Sequence, residues 1–213
     1  MERLVVIWCP ELLVEGAKGE EARRFARVLE RAGELCPWVH PVRLGVGALP
    51  ARGPARFFGG EEVVVSRLAQ TVGEEAKVGG ADGLFAALLA ARAGLIVPAG
   101  GTADFLGPWS VATLARPDLA VTLQRLGVTT LGQFAALPAA SISDRFGADA
   151  AACHAVAASA HLGPRESASA SWADTTSLQN SISLSSRLLR SGSEDRKRAA
   201  WIVSWNAFHD RAS

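Results

Sequence analysis

Residues Leu4-Val5-Val6-Ile7-Trp8 form a continuous apolar run closed by Pro10, and no other stretch constrains the fold as strongly. Apolar side chains without polar alternation predict a buried, central strand, and the proline marks where pairing must stop. Such a strand needs a core to cover it. The 213 residues, 49% of them hydrophobic, are enough for one large domain or two small ones. The run is too short for a membrane span or a signal core with its cleavage site, and Glu11 interrupts it, so no membrane partner is expected.

The pattern after this strand alternates between two periods. "KGEEARRFARVLERAGEL" places Phe25, Val28, Leu29 and Ala32 on one helical face with charges opposite. "PWVHPVRLGVGAL" reads as a strand, and "PARFFGG" as a second strand after a turn at Arg52-Gly53-Pro54. "EEVVVSRLAQTVGEEA" repeats Val64, Leu68 and Val72 every four residues as a helix. "AKVGGADGLFAALLAARAG" reads as a short strand, a tight turn and a helix capped by Asp82 and ended by Gly94, with "LIVP" a further strand. The order is that of a ferredoxin-like βαββαβ unit in an α+β protein, followed by a helix, and one face of its sheet needs a cover.

From "DFLGPW" onward every period is helical, with turns at Gly127-Val128 and Leu137-Pro138, which predicts a small all-α subdomain. Beyond Pro164 the chain becomes serine-rich, and "EDRKRAAWIVSWNAFH" sets Trp201, Trp205 and Phe208 at the spacing of an amphipathic helix. The expected organisation is an α+β domain over 1–106, a helical subdomain over 107–164 and a tail over 165–213.

The 22 Lys and Arg nearly cancel the 21 Asp and Glu, so any face for nucleic acid must be local. Cys9, Cys36 and Cys153 are too few and too widely spaced for a disulfide framework, which suits a reducing cytoplasm. "GGADG" lacks the pattern of a dinucleotide fingerprint or a P-loop, and a capped turn explains it. Cys153, His154 and His161 are close in sequence, but neighbours on a helix point about 100° apart and no fourth ligand is evident; helix packing is favoured over a metal site. No nucleophile elbow is present.

The blocks "LVVIWCPEL", "VGALPARGPARFFGGEE", "VGGADGLFAALLAARAG", "LGPWSVATLA" and "LQRLGVTTLGQFAALP", in this order and spacing, resemble the palm and thumb of Y-family translesion DNA polymerases, and among them the ImuB-like (UmuC-like) mutagenesis accessory branch of bacteria. The resemblance covers roughly residues 1–15 and 22–164. It implies a palm and a helix-hairpin-helix-like thumb. It also implies that the metal-binding aspartate of active members falls on Trp8, the one two residues later on Pro10, and the catalytic acidic pair of their Ser-Ile-Asp-Glu block on Gly45 and Val46. None of these positions holds a carboxylate, and active members need carboxylates to hold Mg²⁺ against nucleotide phosphates. Loss of those acids also marks the ImuB-like branch. Only "VEGAKG" stands where the fingers would lie, near 14–20, and the serine-rich tail matches no little finger, so a shortened member is expected.

The resemblance further implies noncatalytic adapter work in DNA damage tolerance, joining a sliding clamp, a RecA-like accessory protein and an error-prone replicative-type polymerase, with no cofactor, or with Mg²⁺ only if catalysis is retained. Primer-template or damaged DNA is the expected nucleic-acid partner. Its contacts would lie in the second hairpin turn, at Gly127, Thr129, Thr130 and Gly132, and at Arg52, Arg56, Arg125 and Arg145, each of which is otherwise a solvated surface residue. The first turn reads "LARPDLAV", where Pro117 has no N–H to give. "QNSISL" at Gln179 to Leu184 is a poor clamp peptide, which predicts weak or absent clamp affinity. Two alternatives stay open: an active error-prone polymerase using Glu11, Glu61 or Glu62, and a simple DNA-binding or protein-interaction module.

Overall fold

The structure, a computed structural model, describes residues 1–12 and 19–159. The fingers-replacing segment, His161, the clamp-like peptide and the Trp-containing tail helix lie outside the described residues, apart from Gly19 and Glu20. Strand β1 (Arg3–Trp8) is central: Val5, Val6 and Ile7 are each 0% exposed, as a run without alternation requires. It pairs antiparallel with β3 (Val46–Pro50) and with β4 (Lys77–Asp82), and β3 pairs antiparallel with β2 (His40–Arg43). The sheet order is β2-β3-β1-β4, the ferredoxin-like order.

Helices α1 (Gly19–Leu35) and α3 (Glu61–Val72) cover one face. Phe25, Val28 and Ala32 from α1 and Val64, Leu68 and Val72 from α3 pack with Val5, Ile7 and Leu49. These are the residues that helical spacing selects. Helix α4 (Leu84–Ala93) covers the other face, against Leu4, Val6 and Ala81. Its alanines lie close to the strands because Gly79 has no side chain: a Cβ there would stand 2.5 Å from the carbonyl carbon of Ala90. This cover is what a four-stranded ferredoxin-like sheet lacks by itself.

The hairpin expected from "PWVHPVRLGVGAL" and "PARFFGG" is drawn from the first segment alone. Leu44 and Gly45 turn the chain, with Gly45 at φ 75°, so β2 and β3 both precede Pro50. "RGPARFF" is helix α2 (Arg52–Phe58). Pro54 lies in its first turn, where a missing N–H costs nothing, and Gly59 at φ 88° donates to the Ala55 carbonyl to end it. "LIVP" contributes one parallel bridge, Ile96 to Gly80, in place of a strand. Asp82 ends β4, and Gly83 at φ 83° is the N-cap of α4.

The helical part comprises α5 (Thr102–Leu106), a short turn of helix at Val111–Leu114, α6 (Pro117–Arg125), α7 (Leu131–Ala135) and α8 (Ala139–Ser159), which breaks at Gly147 with φ 81°. Leu106, Val111, Leu123, Leu131, Phe134 and Ile142 continue the core that α4 forms on the sheet. Cys153 and His154 are buried in it; the His154 ring meets Phe134 edge-on at 5.3 Å, and its Nε2 lies 2.9 Å from the Leu137 carbonyl oxygen. Among the described residues, no helix is long and apolar enough to cross a membrane, and no cluster of three His, Cys, Asp or Glu residues is placed to hold a metal.

Candidate functional site

At one end of the sheet, a single cross-strand row runs through Arg43, Val46, Trp8 and Lys77. Arg43 lies opposite Val46, Val46 opposite Trp8, and Trp8 opposite Lys77. Directly opposed residues share a face, so the four side chains line one row across the four strands. A register shift in β2 between Pro41 and Arg43 brings Arg43 into the row. Pro41 is exposed on that edge strand, where its missing donor is tolerated. Arg92, in the last turn of α4, adds a second guanidinium: its Cζ is 5.5 Å from the centroid of the Trp8 ring, and Lys77 Nζ is 6.0 Å from it. Cations over an indole face gain from its quadrupole.

The row contains two of the four positions to which the resemblance assigns metal-binding acids, Trp8 and Val46, and the other two flank it. Trp8 is half-buried, Val46 is buried opposite it, and Gly45 is buried in the adjoining turn, its carbonyl accepting from the Cys9 N–H at 2.8 Å. Pro10 is exposed and opens a short helical turn, Pro10–Leu12. None of these four offers a side-chain oxygen, and the charged groups over Trp8 are cationic. The residues present do not suit a pair of Mg²⁺ ions.

The electrostatics agree with this geometry. Burial, and then the neighbouring Arg92 charge, hold the Arg43 guanidinium below its ordinary pKa. Arg43 Nε, Arg92 Nε and Trp8 Nε1 are buried donors without an acceptor among the described residues. Elsewhere, arginines of comparable burial are partnered: Arg3 binds Glu61 at 2.8 Å and Asp82 at 3.4 Å and donates to the Val97 carbonyl, and Arg116 binds Asp149 at 2.9 Å.

The other site residues are dispersed. Arg52 and Arg56 are exposed on α2, which follows Pro50. Pro50 pairs with Leu4, four register positions from the Val46–Trp8 pair, or about 13 Å along the sheet. Arg125 and Arg145 are exposed on α6 and α8. The turn at Gly127, Thr129, Thr130 and Gly132 joins α6 to α7 as a tight hairpin, with Gly127 at φ 82°. Its N–H groups are all occupied inside the chain. Gly127 and Val128 donate to the Gln124 and Leu123 carbonyls, Leu131 and Gly132 to those of Trp109 and Gly107. Thr129 and Thr130 donate to Gln133 Oε1 at 2.8 and 3.2 Å, and Gln133 N–H returns to Thr130 Oγ1. A phosphate would have to displace these bonds. In the first turn, Ala115 holds a positive φ of 55° ahead of Pro117.

The three alternative acids do not converge. Glu61 is tied to Arg3, Glu11 faces Arg24 at 3.6 Å, and Glu62 is exposed. Sequence reasoning passed over Arg43, Lys77 and Arg92, which are 34 and 15 residues apart in the chain and reach one end of the sheet only through strand register and the seating of α4. The local hint was an aromatic residue, Trp8, ending an otherwise aliphatic run.

No protein-family model matches the chain, and no curated protein matches it. Among solved structures, the crystal structure of a DinB-family error-prone DNA polymerase from Sulfolobus solfataricus is similar, with a TM-score of 0.55 and 11% sequence identity over 76% of this chain and 68% of that chain. Identity at that level speaks for fold alone, and with the sheet order and helical subdomain it leads to one conclusion: the chain shares its fold with a polymerase of the DinB family.

Proposed function

We infer that this protein is a Y-family-polymerase-like factor of DNA damage tolerance that acts without polymerase chemistry, as an adapter of the ImuB-like kind. The observation that carries the reading is the row at the sheet end. Where an active relative would place acids, Trp8, Gly45 and Val46 stand beside Arg43, Lys77 and Arg92. A phosphoryl-transfer site needs anionic ligands to hold its cations, and this end of the sheet repels them. DNA is the proposed ligand of the fold, with Arg52, Arg56, Arg125 and Arg145 as exposed cations able to meet phosphates; a sliding clamp, a RecA-like accessory protein and an error-prone replicative-type polymerase are the proposed protein partners.

Primer extension by the full chain, with Mg²⁺ or Mn²⁺ and all four nucleotides, tests the reading. No templated incorporation is the expected result. Incorporation at any site overturns it and moves the assignment to an active polymerase.

A further inference from the structure

The geometry points to a phosphate-binding site formed by Arg43, Lys77 and Arg92 around Trp8. This goes beyond the adapter reading and does not rest on it, because the cluster exists whatever partners the protein has. Arg43 and Lys77 stand at the two outer strands, β2 and β4, of one cross-strand row, and Arg92 of α4 lies between them in reach, near the Trp8 ring and close enough to Arg43 to act on its charge. Arg43 and Arg92 are half-buried, and neither they nor Lys77 meets a carboxylate among the described residues. Two neighbouring guanidinium groups withdrawn from water repel each other and lose hydration, and a bound anion offsets both costs. Trp8 supplies a rigid floor that holds the Arg92 and Lys77 charges on its face.

The ligand this set recognises is a phosphate oxyanion. Guanidinium forks match phosphate oxygens two at a time, and the lysine adds a point charge. The phosphate can belong to a DNA strand or to a free pyrophosphate or nucleotide, and the half-buried Arg43 and Arg92 and the exposed Lys77 are the cations it would meet.

The full-length protein is compared with the Arg43→Gln/Arg92→Gln double variant, and with Lys77→Gln, whose exposed position leaves folding unaffected. Thermal melting is followed with and without inorganic pyrophosphate, and binding of a labelled single-stranded oligonucleotide is followed by anisotropy across a salt series. If the source is a free phosphate compound, pyrophosphate raises the wild-type melting temperature, and this rise is lost in the double variant and reduced in Lys77→Gln. If the source is DNA, the double variant loses affinity about tenfold at low salt, and its salt slope on the single strand falls by about 1.4, roughly 0.7 for each phosphate contact removed. Either loss supports the site. Unchanged pyrophosphate and oligonucleotide binding in Lys77→Gln, together with the same result in a folded double variant, overturns it.

Discussion

Gly79 and Gly80 show how much a missing side chain decides. They look like a turn, yet both are strand residues, and each serves a different face of the sheet. Gly79, opposite Val6, lets the backbone of α4 come down on the strand; Gly80, opposite Val5, leaves room for the Glu61 carboxylate that Arg3 holds. A methyl group at Gly79 meets backbone atoms of Ala90 and Ala91, which cannot swing aside, whereas one at Gly80 meets the end of a side chain. Gly79→Ala is expected to destabilise the fold by about 3 kcal/mol, at the upper end of overpacking costs, and Gly80→Ala by clearly less. Urea denaturation of the two variants checks the order, and an equal loss would contradict the close approach of α4.

Among the elements, the α6–α7 hairpin shows local chemistry at its most self-contained. Thr130 and Gln133 form a capping box, and Gln133 Oε1 also takes the Thr129 N–H and hydroxyl. Gln133→Ala leaves these donors without a partner and is expected to cost about 1 kcal/mol, the usual worth of a cap, read as a lower urea midpoint. The sequence contains this cap in plain form. It also contained the end signals of α2, a proline in the first turn and a Gly-Gly stop, but the two adjacent phenylalanines favoured a strand reading. Phe57 is 83% exposed and meets Phe58 edge-on at 4.8 Å, so this aromatic pair does not report burial on a sheet. "LIVP" misled in the same way, since an apolar tetrapeptide does not say how many neighbours it will bond.

For the molecule as a whole, the three cysteines tie stability to alkaline pH. All are buried. Burial, assisted by the Glu75 carboxylate, pushes the Cys9 thiol from its ordinary 9.0 up to about 11. Burial also raises Cys36 and, with Asp149, Cys153. The folded thiols hold their protons where the unfolded ones have lost them, so the unfolded state binds fewer protons above pH 9. Stability is therefore full below pH 9 and falls as the pH rises toward 11, by on the order of 2 kcal/mol for Cys9 alone. The chain has no tyrosine to titrate in that window. Urea midpoints at pH 8 and pH 10.5 should differ accordingly in the wild type and less in Cys9→Ala; a flat profile would show the thiols to be solvated.

By itself the sequence determined the period of each main element and hence the α+β class: a buried first strand, two amphipathic helices with their buried positions, and a helical second half. It also determined which residue types are absent from the resemblance's acidic positions, since that needs only alignment of the chain with a pattern. The tertiary structure alone decided where β2 ends and β3 begins, that α4 seals the open sheet face, and that Lys77 and Arg92 lie over Trp8 in the row that Arg43 begins. Helical and strand periods arise from bonds between near neighbours and are written locally. Register between strands depends on one turn glycine and one bulge, and a shift of a single residue would turn the row of cations to the other face.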